Sequence, residues 1–129
     1  MAGTVIRSEA LEEAHPLPEM IRTGAFSAAV KAGPFIYVSG CIAKDLDAGM
    51  REQARELFEY IKLALGEEGY SLGDVVKLQA FITDVGNYSD YSEARKEYFP
   101  SDPPASTAVI AVLLVPGALV EIDAVAYRE

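Results

Sequence analysis

Residues 119–127 read LVEIDAVAY, and the alternation in this stretch decides the architecture. Successive side chains of a strand point to opposite faces, so Val120, Ile122, Ala124 and Ala126 form one wholly apolar face. Leu119, Glu121, Asp123, Val125 and Tyr127 form the other. The first face suits a layer of helices. The second sets two acids among Leu, Val and Tyr, and its apolar content predicts contact with another subunit.

Working back from that strand, residues 105–120 carry no charge and include a second β-rich run, Ser106 to Leu114. Val115-Pro116-Gly117 between the two runs predicts an antiparallel hairpin. Upstream, the period changes. Ala54, Leu57, Phe58, Ile61, Ala64 and Leu65 recur at helical spacing between Gly49 and Gly69, with Asp47 as the expected N-cap and Gly69 as the stop. VVKLQAFIT (75–83) alternates as a strand, with Val76, Leu78, Ala80 and Ile82 expected inward. SDYSEARKEYF (89–99) reads as a second helix with a Tyr91, Ala94, Tyr98 stripe, Ser89 as its cap and Pro100 as its end.

Nearer the N-terminus, Phe26 to Val30 and Phe35 to Ser39 flank Gly33-Pro34 as a hairpin, and Val5-Ile6 is a short strand. The two prolines of EALEEAHPLPEMIRTG (9–24) predict a surface connection rather than a long helix. The pattern describes one α+β domain over residues 1–129, about six strands in a mixed sheet with two helices on one face.

Composition narrows the function. A net charge of −9, from 11 basic and 20 acidic residues, argues against nucleic acid or anionic membrane as a partner. The single Cys41 and single His15 leave no intramolecular disulfide and no ordinary Cys/His metal site, so no such metal is expected. No leader or membrane-spanning run is visible, and the expected location is cytoplasmic.

Four motifs stand in order along the chain: GAFSAAVKAGPFIYVSGCI (24–42), EQARELFEYIKLALGEEGYSLGDVVKLQAFITD (52–84), YFPSDPPAS (98–106) and PGALVEIDAVAY (116–127). On these the chain resembles the Rid family, also called YjgF or reactive-intermediate deaminase, over Thr23 to Tyr127. The resemblance implies a chorismate-mutase-like fold, a homotrimer with pockets between subunits, and cofactor-free hydrolysis of 2-imino acids to 2-keto acids and ammonia. In the family an arginine grips the substrate carboxylate and a glutamate helps position the attacking water.

Carried over by position, Glu121 falls on the family glutamate and Ser39 on a pocket serine. Phe26 stands at a tyrosine position, Ser92 at an asparagine and Cys41 at a glutamine. Ser106, followed by Thr107, falls where Pro-Ala-Arg-Ser carries the arginine. A serine cannot reproduce the bidentate, charge-assisted grip of a guanidinium, which weighs against ordinary 2-imino acid deamination and points to a neutral or differently charged substrate.

Each position also has a plainer reading. Glu121 and Asp123 are candidates for an interface hydrogen-bond network, with Asp123 the more structural of the two. Ser106 and Thr107 are candidates for bonding local backbone. Cys41 is expected to be a buried structural thiol, and Arg22 is either a solvated surface residue or the missing cation. Two functions stand side by side: hydrolysis of an imine, enamine or related reactive metabolite, and non-catalytic binding of a metabolite by a trimer.

Overall fold

The computed structural model describes residues 3–129, so the first two residues of the expected 1–129 domain lie outside it. Six strands form one sheet: β1 (Thr4–Ile6), β2 (Ala29–Ala32), β3 (Phe35–Cys41), β4 (Val75–Ile82), β5 (Ala105–Ile110) and β6 (Val120–Tyr127). Their spatial order is β1-β2-β3-β6-β4-β5. Every pairing is antiparallel except β4 with β5. The four helices are α1 (Glu9–Ala14), α2 (Pro18–Arg22), α3 (Met50–Gly66) and α4 (Tyr88–Tyr98).

The core lies between the helices and one face of the sheet. Val120, Ile122, Ala124 and Ala126 are buried in strict alternation along β6, beside Ile36 and Val38 of β3 and Leu78, Ala80 and Ile82 of β4. Leu57, Phe58, Ile61 and Leu65 of α3 and Tyr91 and Ala94 of α4 close over them. Each large side chain buried here contributes about 1.5–3 kcal/mol of transfer free energy, so this shared apolar layer is what holds both helices to one face. On the opposite face no element of the described residues covers β6.

The expected hairpin between the last two strands is not formed. β5 runs parallel to β4, and β4 separates it from β6. The chain leaves β4, returns along α4 and therefore re-enters the sheet in the direction of β4, as a crossover connection demands. Residues 111–119 then pass over the end of β4, where Ala111 N donates to Ile82 O and Thr83 N to Leu119 O. Val115-Pro116-Gly117 turns the chain within this longer connection.

Other expectations shift locally. Val76 points outward and is 44% exposed, while Val75 is buried, because the register with β6 slips between Val75 and Lys77. Such a bulge inverts the alternation for one residue. The 9–24 segment is two short helices broken at His15, and it buries Leu11, His15 and Ile21 instead of only crossing the surface. Asp47 does not cap α3, whose N-cap is Gly49, and Ser89 lies within α4, whose N-cap is Asn87.

Gly69 reverses the chain after α3 with φ of 74° as Tyr70 N returns to Leu65 O. Gly69→Ala is therefore expected to cost about 1–2 kcal/mol, the penalty of an L side chain in the left-handed region. Urea unfolding of the two proteins would measure it. No helix of the described residues is long and apolar enough to cross a membrane.

Candidate functional site: two half-sites on opposite faces of the sheet

Glu121 projects from β6 on the uncovered face, cross-strand from Phe81, and Asp123 lies opposite Gln79. Neither carboxylate has a hydrogen-bond or ion partner among the described residues. Burial raises the pKa of both; Asp123 adds to the shift of Glu121, and the charge of Lys77 opposes that of Asp123. Lys77 Nζ itself donates to Thr107 Oγ1 at 2.8 Å, which holds Thr107 on the same face.

The wall behind Glu121 comes from β3. Its register against β6 shifts between Val38 and Cys41, and this irregularity brings Gly40 against the glutamate. A Cβ on Gly40 would stand 2.8 Å from Glu121 Oε2 and 3.2 Å from Cδ. Only a residue without a side chain leaves the carboxylate where it is.

Gly40→Ala should therefore displace the Glu121 carboxylate with little loss of stability, because what must move is the end of a flexible side chain. A thermal melt and a structure of the variant would check both parts.

Ser39, the preceding residue, donates from Oγ to Ser27 O at 2.6 Å and from N to Ala28 O at 3.0 Å. Cys41 turns the other way, into the core, with Sγ donating to Ile122 O at 3.4 Å. Burial and the charges of Glu121, Asp123 and Glu56 push its thiol far above the ordinary range, so it stays protonated. Phe26 packs its ring 5.6 Å from that of His15, on the α1–α2 side of the core.

A second group forms on the helical side. Ser106 of β5 pairs with Leu78 in register and so shares its face, opposite to that of Glu121. Arg95, on α4, joins Ser106 to Ser92: Nη1 donates to Ser106 Oγ at 3.2 Å and Nη2 to Ser92 Oγ at 3.2 Å. Arg22 lies apart from both groups, its guanidinium bound by Glu12 and Glu19.

Of the residues singled out from the sequence, Ser39 and Glu121 thus border one half-site and Ser92 and Ser106 the other, with Thr107 beside the acids. Gly40, Lys77 and Arg95 were not singled out. Arg95 follows Ser92 by three residues on one helix, the spacing that places two side chains on one face, and this signal was open to sequence reading.

A mixed six-stranded sheet with its helices on one face and a carboxylate on the bare face defines the class, the YjgF-type α+β fold. The family described as Endoribonuclease L-PSP matches residues 18–128, and the chain belongs to it, the Rid or YjgF family of the resemblance above. A RutC family protein of Pyrococcus horikoshii is 37% identical over 112 residues, which cover 82% of this chain and 89% of that protein. The crystal structure of a YjgF/YER057c/UK114 family member from Mycobacterium tuberculosis superposes with a TM-score of 0.81 at 29% identity, covering 98% of this chain and 99% of that one. RidA from a Psychrobacter species gives a TM-score of 0.74 at 32% identity, over 81% of this chain and 89% of its own.

Proposed function

We propose that this protein hydrolyses the C=N bond of a small reactive imine or enamine, releasing ammonia, in a pocket completed between subunits of a homotrimer. The observation that carries the reading is Glu121: a half-buried carboxylate with no partner among the described residues, backed by a glycine, on a sheet face that none of their elements covers. Partnerless carboxylates with raised pKa values suit proton transfer near neutral pH.

The chemistry is an addition followed by an elimination. Glu121 accepts a proton from water as the oxygen attacks the imine carbon, and the electron pair of the C=N bond moves to nitrogen, which takes up a proton. Collapse of the tetrahedral carbinolamine forms C=O, breaks the C–N bond and expels ammonia. In balance, one imine and one water give one carbonyl compound and one ammonia, and an enamine first tautomerises to the imine. No redox partner enters.

The same geometry supports assembly. Glu121 and Ser106 lie on opposite faces of one sheet, so a single chain does not bring the two half-sites together, and a neighbouring copy is the economical way to do so. Val112 and Leu114, 98% and 97% exposed in the connection that precedes β6, supply apolar surface for such a contact. Light scattering on the purified protein should give three times the mass of the chain.

The word endoribonuclease in the family description finds less support here. The net charge is −9, and His15, the one histidine, is buried with Nδ1 accepting from Leu17 N and a pKa lowered by desolvation. The test is ammonia release from imines generated in situ, one series bearing a carboxylate and one neutral. Turnover of either series above the buffer rate supports the hydrolase. Saturable binding without turnover of any would make the protein a metabolite-binding trimer.

A further inference from the structure

The arginines with side-chain contacts in this chain differ in their partners. Arg22 is bound by Glu12 and Glu19, Arg51 by Asp90, and Arg55 by Glu52 and Glu97. Arg128 donates to the backbone of Gly69, and Arg95 likewise has no carboxylate partner among the described residues, although the chain holds 20 acids against 11 bases. Its contacts are three neutral hydroxyls: Ser106 and Ser92 at 3.2 Å each and Tyr88 at 3.5 Å. The ring of Tyr91 lies beneath it, 5.2 Å from the guanidinium carbon to the ring centroid.

This arrangement holds the guanidinium in place without neutralising it. A guanidinium has five N–H donors, so three hydroxyl contacts leave donors free, and each serine that accepts from Arg95 keeps its own O–H to donate. The cluster opens on a cleft of about 460 Å³ walled by Tyr88, Lys96, Phe99, Pro100, Pro103 and Pro104. Beside it the hydroxyl of Tyr91 is buried with no hydrogen-bond partner. A site offering a full positive charge and several free donors between aromatic and proline walls, with the Lys96 ammonium at its rim, is complementary to an oxyanion on a small organic molecule.

We infer that Arg95 is the anion-gripping residue of this protein, binding the carboxylate of its small-molecule ligand while Ser92 and Ser106 orient the guanidinium and donate to the same group. A carboxylate is favoured over a phosphate because the fork presents one charge in one plane and the adjacent Lys96 is engaged by Glu93 at 3.3 Å. The inference rests on the cleft beside Ser106 being part of the pocket proposed above. It reverses the expectation of a neutral or differently charged substrate: the cation reaches position 106 from α4.

Calorimetric titration with 2-oxobutanoate, a small keto acid, and separately with inorganic phosphate tests it. The unmodified protein should bind 2-oxobutanoate saturably and phosphate at least about tenfold more weakly, and Arg95→Met should weaken 2-oxobutanoate by about 10- to 100-fold. Arg95→Met combined with Ser106→Arg should recover binding, since the charge returns from β5. Unchanged affinity in Arg95→Met, or no binding of either anion by the unmodified protein, overturns the assignment, and tighter binding of phosphate overturns the choice of carboxylate.

Should Arg95→Met fail to fold, Arg95→Lys decides: an ammonium lacks the planar fork, so about tenfold weaker binding is expected and equal affinity overturns the proposal. The two readings fail separately. Absence of imine turnover would end the hydrolase while leaving Arg95-dependent binding intact, and turnover with 2-oxobutanoate affinity independent of Arg95 would do the reverse.

Discussion

Glu121→Gln should lower kcat for imine hydrolysis by about 100- to 10,000-fold, the range a positioned general base contributes. The amide keeps the shape of the side chain and its place against Gly40, so binding of a keto acid is expected to change little. What it loses is the ability to take the proton from water as the C=N carbon is attacked. Retained KM with collapsed kcat marks a group that acts in the transition state, whereas a parallel loss of binding would mean that the carboxylate mainly holds the assembly together.

The same substitution carries a pH signature in stability. The pKa of Glu121 is raised, first by burial and then by Asp123. A carboxyl whose folded pKa exceeds its unfolded value contributes stability below the ordinary carboxylate range and loses it as pH rises through the folded pKa. At neutral pH the ionised Glu121 is therefore a cost. Glu121→Gln should melt higher than the unmodified protein at about pH 8, with the advantage shrinking toward about pH 4. Equal melting at both would show that a partner satisfies the carboxylate in the assembled protein. A stabilised but inactive variant is what a functional rather than structural acid predicts.

How much of this was legible in the sequence depends on the range of the contact. The two faces of LVEIDAVAY could be separated from period alone, because a strand obeys its alternation wherever it sits. Helix α3 was legible for the same reason. Strand order was not: the Pro116-Gly117 turn is a local signal, and it carries no information about β4 occupying the space between β5 and β6. The Val76 bulge is a property of two strands in register, absent from either one read singly.

The site divides in the same way. Glu121 and Ser106 were found by position along the chain, but the sheet puts them on opposite faces, and only the pairings of Phe81 with Glu121 and Leu78 with Ser106 reveal it. Arg95 is not legible at position 106 or in the N-terminal hairpin, because it stands on α4 and meets Ser106 only through the fold. A charge can be delivered to one place from any element that reaches it. Substitution at a motif position therefore bears on which residue does the work before it bears on whether the work is done.

Gln53→Leu should destabilise the fold by about 2–4 kcal/mol, through the loss of three partly buried side-chain-to-backbone hydrogen bonds at about 0.5–1.5 kcal/mol each. Gln53 is fully buried in the first turn of α3. Its Nε2 donates to Ala48 O at 3.0 Å and Gly117 O at 3.2 Å, and its Oε1 accepts from Leu119 N at 2.9 Å. One amide thus ties the start of the long helix to the connection that β5 and β6 share. Leucine fills the volume and satisfies none of the three.

The consequence extends to the site, because Leu119 is two residues before Glu121 and loosening it frees the start of β6. Gln53→Glu provides the finer test. One carboxylate oxygen can still accept from Leu119 N, but the other then faces the carbonyls of Ala48 and Gly117, an arrangement tolerable only when that oxygen carries a proton. The pKa of this new acid is raised in the fold, so the variant should be most nearly normal in acid and lose stability as pH rises toward neutral. Urea unfolding at about pH 5 and about pH 8 should show that slope. A Gln53→Leu protein within about 1 kcal/mol of the original would mean that water replaces the amide and that the strand carrying Glu121 is positioned by the sheet alone.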